Sequence, residues 1–190
     1  MPGPSNMPDR VLRAMHRAAP DIYGGPLIDL TETVLRDLRR LAGTDGACAI
    51  YIGNGHAVWE ASVANILAPG DKALFAVNGR FGHGWAETAR RMGVDVEVMD
   101  FGWRGAVDPL RIEERLRADR DHAIRAVLTV ETDTASSARN DVRALRAALD
   151  AAGHPALLAI DCIASLGCDR FEMDAWGVDV MIAASQKGLM

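Results

Sequence analysis

Lys187 and Asp161, 26 residues apart, are the pair in this chain best suited to carbonyl chemistry. Lys187 follows the near-continuous apolar run Val178 to Ala184, and Asp161 closes a second run, Leu157-Leu158-Ala159-Ile160. Each run reads as a buried strand. An amine held between a strand end and apolar walls has its pKa pulled down and attacks carbonyls. Alone, such a lysine would be a snorkelling surface residue, and such an aspartate a helix N-cap or salt-bridge partner. Open α/β sheets bind ligands beyond the carboxyl ends of their strands, so together the two make a cofactor clamp. Pyridoxal phosphate needs this pair: the lysine holds its aldehyde as an imine, and the carboxylate keeps the pyridine nitrogen protonated so that the ring can absorb electrons from the substrate carbon.

Three further segments could complete such a site. Gly53-Asn54-Gly55-His56 stands between an expected strand, Ala47 to Ile52, and a helix, which reads as an anion site where Gly55 admits a phosphate and Asn54 and His56 add donors. The dinucleotide fingerprint is a poor match, because Val58 holds the third glycine position and Val77-Asn78-Gly79 brings no acidic residue to the end of the second strand. A single phosphate fits better; a tight turn with no ligand is the alternative. Asn78 to Trp85 reads as a loop with three glycines around Phe81, an aromatic able to lie on a planar ring or to cap the core. Glu131-Thr132-Asp133-Thr134 leaves the fourth strand, where its hydroxyls could reach a ring oxygen or the phosphate, or N-cap the next segment.

The elements that must position these residues alternate. Strands are expected at Ala47 to Ile52, Ala73 to Val77, Val94 to Val98, Ala126 to Val130, Ala156 to Ile160 and Val178 to Ala184. Helices fit at Asp9 to Ala18, Leu27 to Ala42, His56 to Leu67, Gly84 to Met92, Pro109 to Ala118 and Asp141 to Ala151. Such alternation predicts a three-layer α/β fold, a mostly parallel sheet with helices on both faces. Domain organisation reads as a helical arm over residues 1–45 and a sheet domain over residues 46–190.

Composition narrows the function classes. With 190 residues, 49% hydrophobic and 25% charged, the chain can build one sizeable core. A net charge of -5 argues against nucleic acid as a partner. No apolar stretch approaches the roughly 20 residues that span a bilayer, and Met1 to Asn6 lacks the features of a signal peptide. A cytoplasmic protein is expected. Cys48, Cys162 and Cys168 read as buried thiols, and the five histidines form no metal-ligand pattern.

Taken together, Pro2-Gly3-Pro4-Ser5-Asn6, Gly53-Asn54-Gly55-His56, Asn78-Gly79-Arg80-Phe81-Gly82, Glu131-Thr132-Asp133-Thr134, Asp161 to Gly167 and Ser185-Gln186-Lys187-Gly188-Leu189 resemble a known family. It is the class V aminotransferases of pyridoxal phosphate fold type I, in particular the alanine–glyoxylate and serine–glyoxylate aminotransferases. The resemblance covers almost the whole chain, and its last two motifs are together highly specific. It implies that Lys187 forms the imine with pyridoxal 5'-phosphate, that Asp161 pairs with the pyridine nitrogen, and that Ile163 and Phe81 pack on opposite ring faces. It places Gly55, His56 and Gln186 at the phosphate, Thr132 beside the cofactor, and Gly3 at the substrate.

The resemblance also implies transamination from serine or alanine to glyoxylate by a homodimer, acting on amino-acid and keto-acid substrates. Family members continue past this lysine into a small C-terminal domain that carries an arginine for the substrate carboxylate. The chain therefore reads as the N-terminal part of such an enzyme, expected to be inactive by itself. A 2-aminoethylphosphonate transaminase, a cysteine desulfurase-like lyase and an inactive fragment are the competing readings. The desulfurase is the more distant, since that group has histidine where this chain has Gln186 and Phe81.

Overall fold

Apolar residues alternate in runs of strand and helix period along this chain, and the fold keeps that order. The computed structural model describes residues 5–189. Its elements are α1 (Asp9–Met15), α2 (Pro26–Ala42), α3 (Gly55–Ile66), β1 (Lys72–Val77), α4 (Arg80–Arg91), β2 (Asp95–Asp100), α5 (Pro109–Ala118), β3 (Ile124–Val130), α6 (Val142–Ala152), β4 (Leu157–Asp161) and β5 (Val180–Ile182). Among the described residues the strands form one parallel sheet in the order β2-β1-β3-β4-β5.

The pleat divides the core in two. Leu74, Ala76, Val127, Leu158 and Ile160 point to one face, where Ile112 and Leu116 of α5 and Val142, Leu145 and Leu149 of α6 cover them. Ala73, Phe75, Val77, Ala126, Leu128 and Ala159 point to the other, under Trp59 and Val63 of α3 and Trp85, Ala86 and Ala89 of α4. Side chains on a strand alternate faces, so Asp161 shares the α3/α4 face with Ala159. The register sets Val130 opposite Asp161, and Asp161 opposite Ile182. The carboxyl ends of β3, β4 and β5 thus finish at one level.

Several expectations need correction. Ala47 to Ile52 forms no strand: its β-branched and aromatic residues suit one, but Ile50 and Tyr51 are half exposed, Ile52 is fully exposed, and no described strand pairs with them. Gly53-Asn54-Gly55-His56 therefore follows a segment that lies outside the sheet. The glycine-rich stretch around Phe81 is helical from Arg80 onward and is no loop. The first helix stops at Met15, and the last strand spans only Val180–Ile182. Of the cysteines, Cys162 is buried, Cys48 is half-buried and Cys168 is exposed. Among the described residues, no helix is long and apolar enough to cross a membrane.

Candidate active site

Asp161 is only 2% exposed. Each of its carboxylate oxygens meets one N–H: the Trp59 indole Nε1 donates to Oδ2 at 2.7 Å, and the Ile163 amide donates to Oδ1 at 2.8 Å. Burial pushes its carboxyl up to about 6, the hydrogen bonds from Ile163 and Trp59 oppose that rise, and the nearby Asp133 charge adds to it. At neutral pH the group still carries its charge.

Helix α3 begins against this carboxylate. Asn54 caps it, its side-chain oxygen accepting from the His56 and Ala57 amides at 3.1 and 3.2 Å. Asn54 therefore acts here as an acceptor through its side-chain oxygen. Gly55 is buried, and a Cβ there would stand 2.9 Å from Ile163 Cδ1, so the start of the helix packs directly on the Ile163 side chain. His56 is exposed and its ring meets Trp59 edge-on at 4.5 Å.

Phe81 sits in the first turn of α4, half-buried, with its ring 6.3 Å from Trp59. The residue before the helix, Gly79, has no side chain to cap it. Asp133 does so from across the sheet, its Oδ2 accepting from the Phe81 and Gly82 amides at 2.8 and 3.1 Å and its Oδ1 from Ala135 at 2.9 Å. A Cβ on Gly79 would overlap that carboxylate. Beside it, Thr132 Oγ1 is buried with no hydrogen-bond partner among the described residues.

Lys187 is half-buried, on the turn after β5. The turn leaving Asp161 packs on this one: a Cβ on Gly167 would lie 3.0 Å from Leu189 Cδ2 and 3.2 Å from the Gly188 carbonyl carbon. The N-terminal segment reaches the same place. Ser5 donates its amide to the Gln186 carbonyl at 2.9 Å and its hydroxyl to the Lys187 carbonyl at 2.9 Å. Gly3 lies outside the described residues. The structure thus gathers Gly55, Ile163 and Asp161, sets Phe81 and His56 around Trp59, and places Gln186 and Lys187 on the turn packed against the β4 exit.

The profile of the family described as class V aminotransferase matches residues 37–190. The chain belongs to the class V aminotransferases. It is 44% identical to a serine–glyoxylate aminotransferase of Methylorubrum extorquens over all of its length and 48% of that relative's. It is 39% identical to an L-aspartate–glyoxylate aminotransferase of Paracoccus denitrificans, again over all of this chain and 48% of the other. The crystal structure of an alanine–glyoxylate aminotransferase from Nostoc sp. superposes with a TM-score of 0.91 at 30% identity, covering 98% of this chain and 48% of that one. The chain spans about half the length of these relatives.

Two residues of this class V aminotransferase chain escape a reading of motifs. Trp59 had a local signal: Gly55, Trp59, Ser62 and Val63 are the buried stripe of α3, which turns Trp59 to the same side as the motif glycine. Asp133 lies within the Glu131-Thr132-Asp133-Thr134 motif, but nothing local pointed to α4 as the helix it caps, because that helix lies 52 residues away in the chain.

Proposed function

We propose that the protein to which this chain belongs is a pyridoxal phosphate-dependent aminotransferase that moves the amino group of serine or alanine to glyoxylate. The observation that carries this reading is the strand-end cluster. A buried Asp161 with one donor on each oxygen stands beside the Gly55–Ile163 contact, and the turn holding Lys187 packs against the turn that leaves Asp161. Glyoxylate occurs in the names of all three similar proteins, and serine in that of the one 44% identical. An aspartate donor is the competing choice, from the name of the second.

The residues present fit the cofactor. The buried, unpartnered Thr132 hydroxyl suits a ring oxygen. The start of α3, where Gly55 leaves the backbone bare beside Ile163, suits a phosphate. An ionised Asp161 suits a protonated pyridine nitrogen. When bound, the cofactor supplies an electron sink for the substrate α-carbon.

This chain's own residues supply the rest. Asn54, Gly55, His56 and Gln186 hold the phosphate, and Phe81 and Ile163 bracket the ring. Asp161 fixes the charge at the ring nitrogen. Lys187 would hold the cofactor's aldehyde carbon, and its amine would serve as the base that takes the substrate α-proton and as the acid that delivers it onward to the cofactor. The same reading divides the chain into an arm over residues 1–45 and part of the cofactor domain over residues 46–190, within a cytoplasmic homodimer.

The test is a half-reaction on the full-length protein loaded with pyridoxal phosphate. Serine or alanine should convert its visible absorbance, and glyoxylate should restore it. Conversion by aspartate alone would overturn the donor assignment; no conversion by any amino acid would overturn the activity.

A further inference from the structure

We propose that Trp59 is a positioning residue whose indole N–H sets the orientation of the Asp161 carboxylate and joins it to the aromatic residues around the site. The inference rests on the reading of Asp161 as the partner of a pyridine nitrogen.

Trp59 is 2% exposed, and its 2.7 Å hydrogen bond to Asp161 crosses 102 residues of sequence. An indole N–H is a donor only, so it favours an oxygen carrying charge and cannot accept from a carboxyl O–H. The Ile163 amide imposes the same condition on the other oxygen. With one lone pair of each oxygen engaged, the plane of the carboxylate is fixed and the remaining lone pairs stay open to a further donor such as a ring N–H. Both bonds end on a buried anion, where charge-assisted hydrogen bonds are strong. They also resist the effect of burial and of Asp133, the two influences that favour protonation of Asp161.

The indole itself cannot turn away. His56 meets its ring edge-on at 4.5 Å and Phe81 at 6.3 Å. From α4, a Cβ on Gly84 would already stand 3.1 Å from its Cζ3. One side chain therefore links the helix that starts at the anion site, the helix that carries Phe81, and the strand-end carboxylate.

The experiment replaces Trp59 with phenylalanine in the full-length protein, which keeps an aromatic ring and removes the donor. Aspartate carboxylates are monitored by carbon NMR without cofactor, with Asp161 assigned by its loss in Asp161→Asn, and urea unfolding is run in parallel. The Asp161 midpoint should rise by about one pH unit or more, and cofactor affinity at neutral pH should fall about tenfold, with a steeper loss toward acid. A general packing defect would lower the urea midpoint without moving the carboxylate titration. Should Trp59→Phe fail to fold, 3-benzothienylalanine at position 59 alone keeps the ring shape and removes the N–H. An unchanged Asp161 midpoint in the folded variant overturns the inference. A raised midpoint in a protein whose parent takes up no pyridoxal phosphate overturns the proposed function while upholding the control of Asp161 by Trp59.

Discussion

A Cβ placed on Gly188 would overlap the carbonyl oxygen of Leu166 and stand 2.9 Å from the Gly167 carbonyl carbon. The turn carrying Lys187 and the turn leaving Asp161 therefore touch backbone to backbone. Gly188→Ala should force them apart, destabilising the fold by about 1–3 kcal/mol and lowering incorporation of pyridoxal phosphate at Lys187 severalfold. Urea unfolding and borohydride-trapped peptide mapping measure the two effects. A variant as stable and as readily labelled as the parent would show that the contact positions nothing.

Asp133 holds three backbone amides, at Phe81, Gly82 and Ala135. Asp133→Ala should cost on the order of 3 kcal/mol, since it removes a helix cap and leaves buried donors unmet. Asp133→Asn keeps one acceptor oxygen and should lose less. Amide exchange at Phe81 and Gly82 should accelerate in both, and fastest in the alanine variant.

Asp161 gives stability a pH dependence of definite sign. Its folded pKa, about 6, lies above the ordinary aspartate value, so the folded state binds the proton more tightly than the unfolded state does. Its contribution favours folding below the unfolded pKa near 4 and is lost as pH rises through about 6, a change of about 3 kcal/mol across that window. Asp161→Asn should remove this slope between pH 4 and 6. Urea unfolding of both proteins at half-unit pH steps reads the difference, and parallel profiles would contradict it.

Lys187 should be the site at which pyridoxal phosphate attaches. Cofactor and then borohydride should label Lys187 in preference to Lys72, the chain's other lysine, and Lys187→Ala should lose the visible band. Equal absorbance in that variant, or label spread over Lys72 as well, would remove Lys187 from its role.

Much of this was readable along the chain. The apolar runs ending at Asp161 and before Lys187, the breakers between them and the alternation of periods specify a parallel sheet with covered faces, because burial on both sides demands continuous apolar strands. The family, too, is carried by short motifs. Tertiary structure decided the rest. Whether Ala47 to Ile52 pairs as a strand depends on a neighbour, which no local propensity encodes, and here that neighbour is missing among the described residues. The helix around Phe81 looks like a loop in sequence because its cap, Asp133, arrives from the end of β3. The charge and aim of Asp161 depend on an indole 102 residues away. Residue types state which chemistry is possible; only the packing of distant segments determines which donor meets which acceptor, because burial and hydrogen bonding act between atoms brought together by the fold.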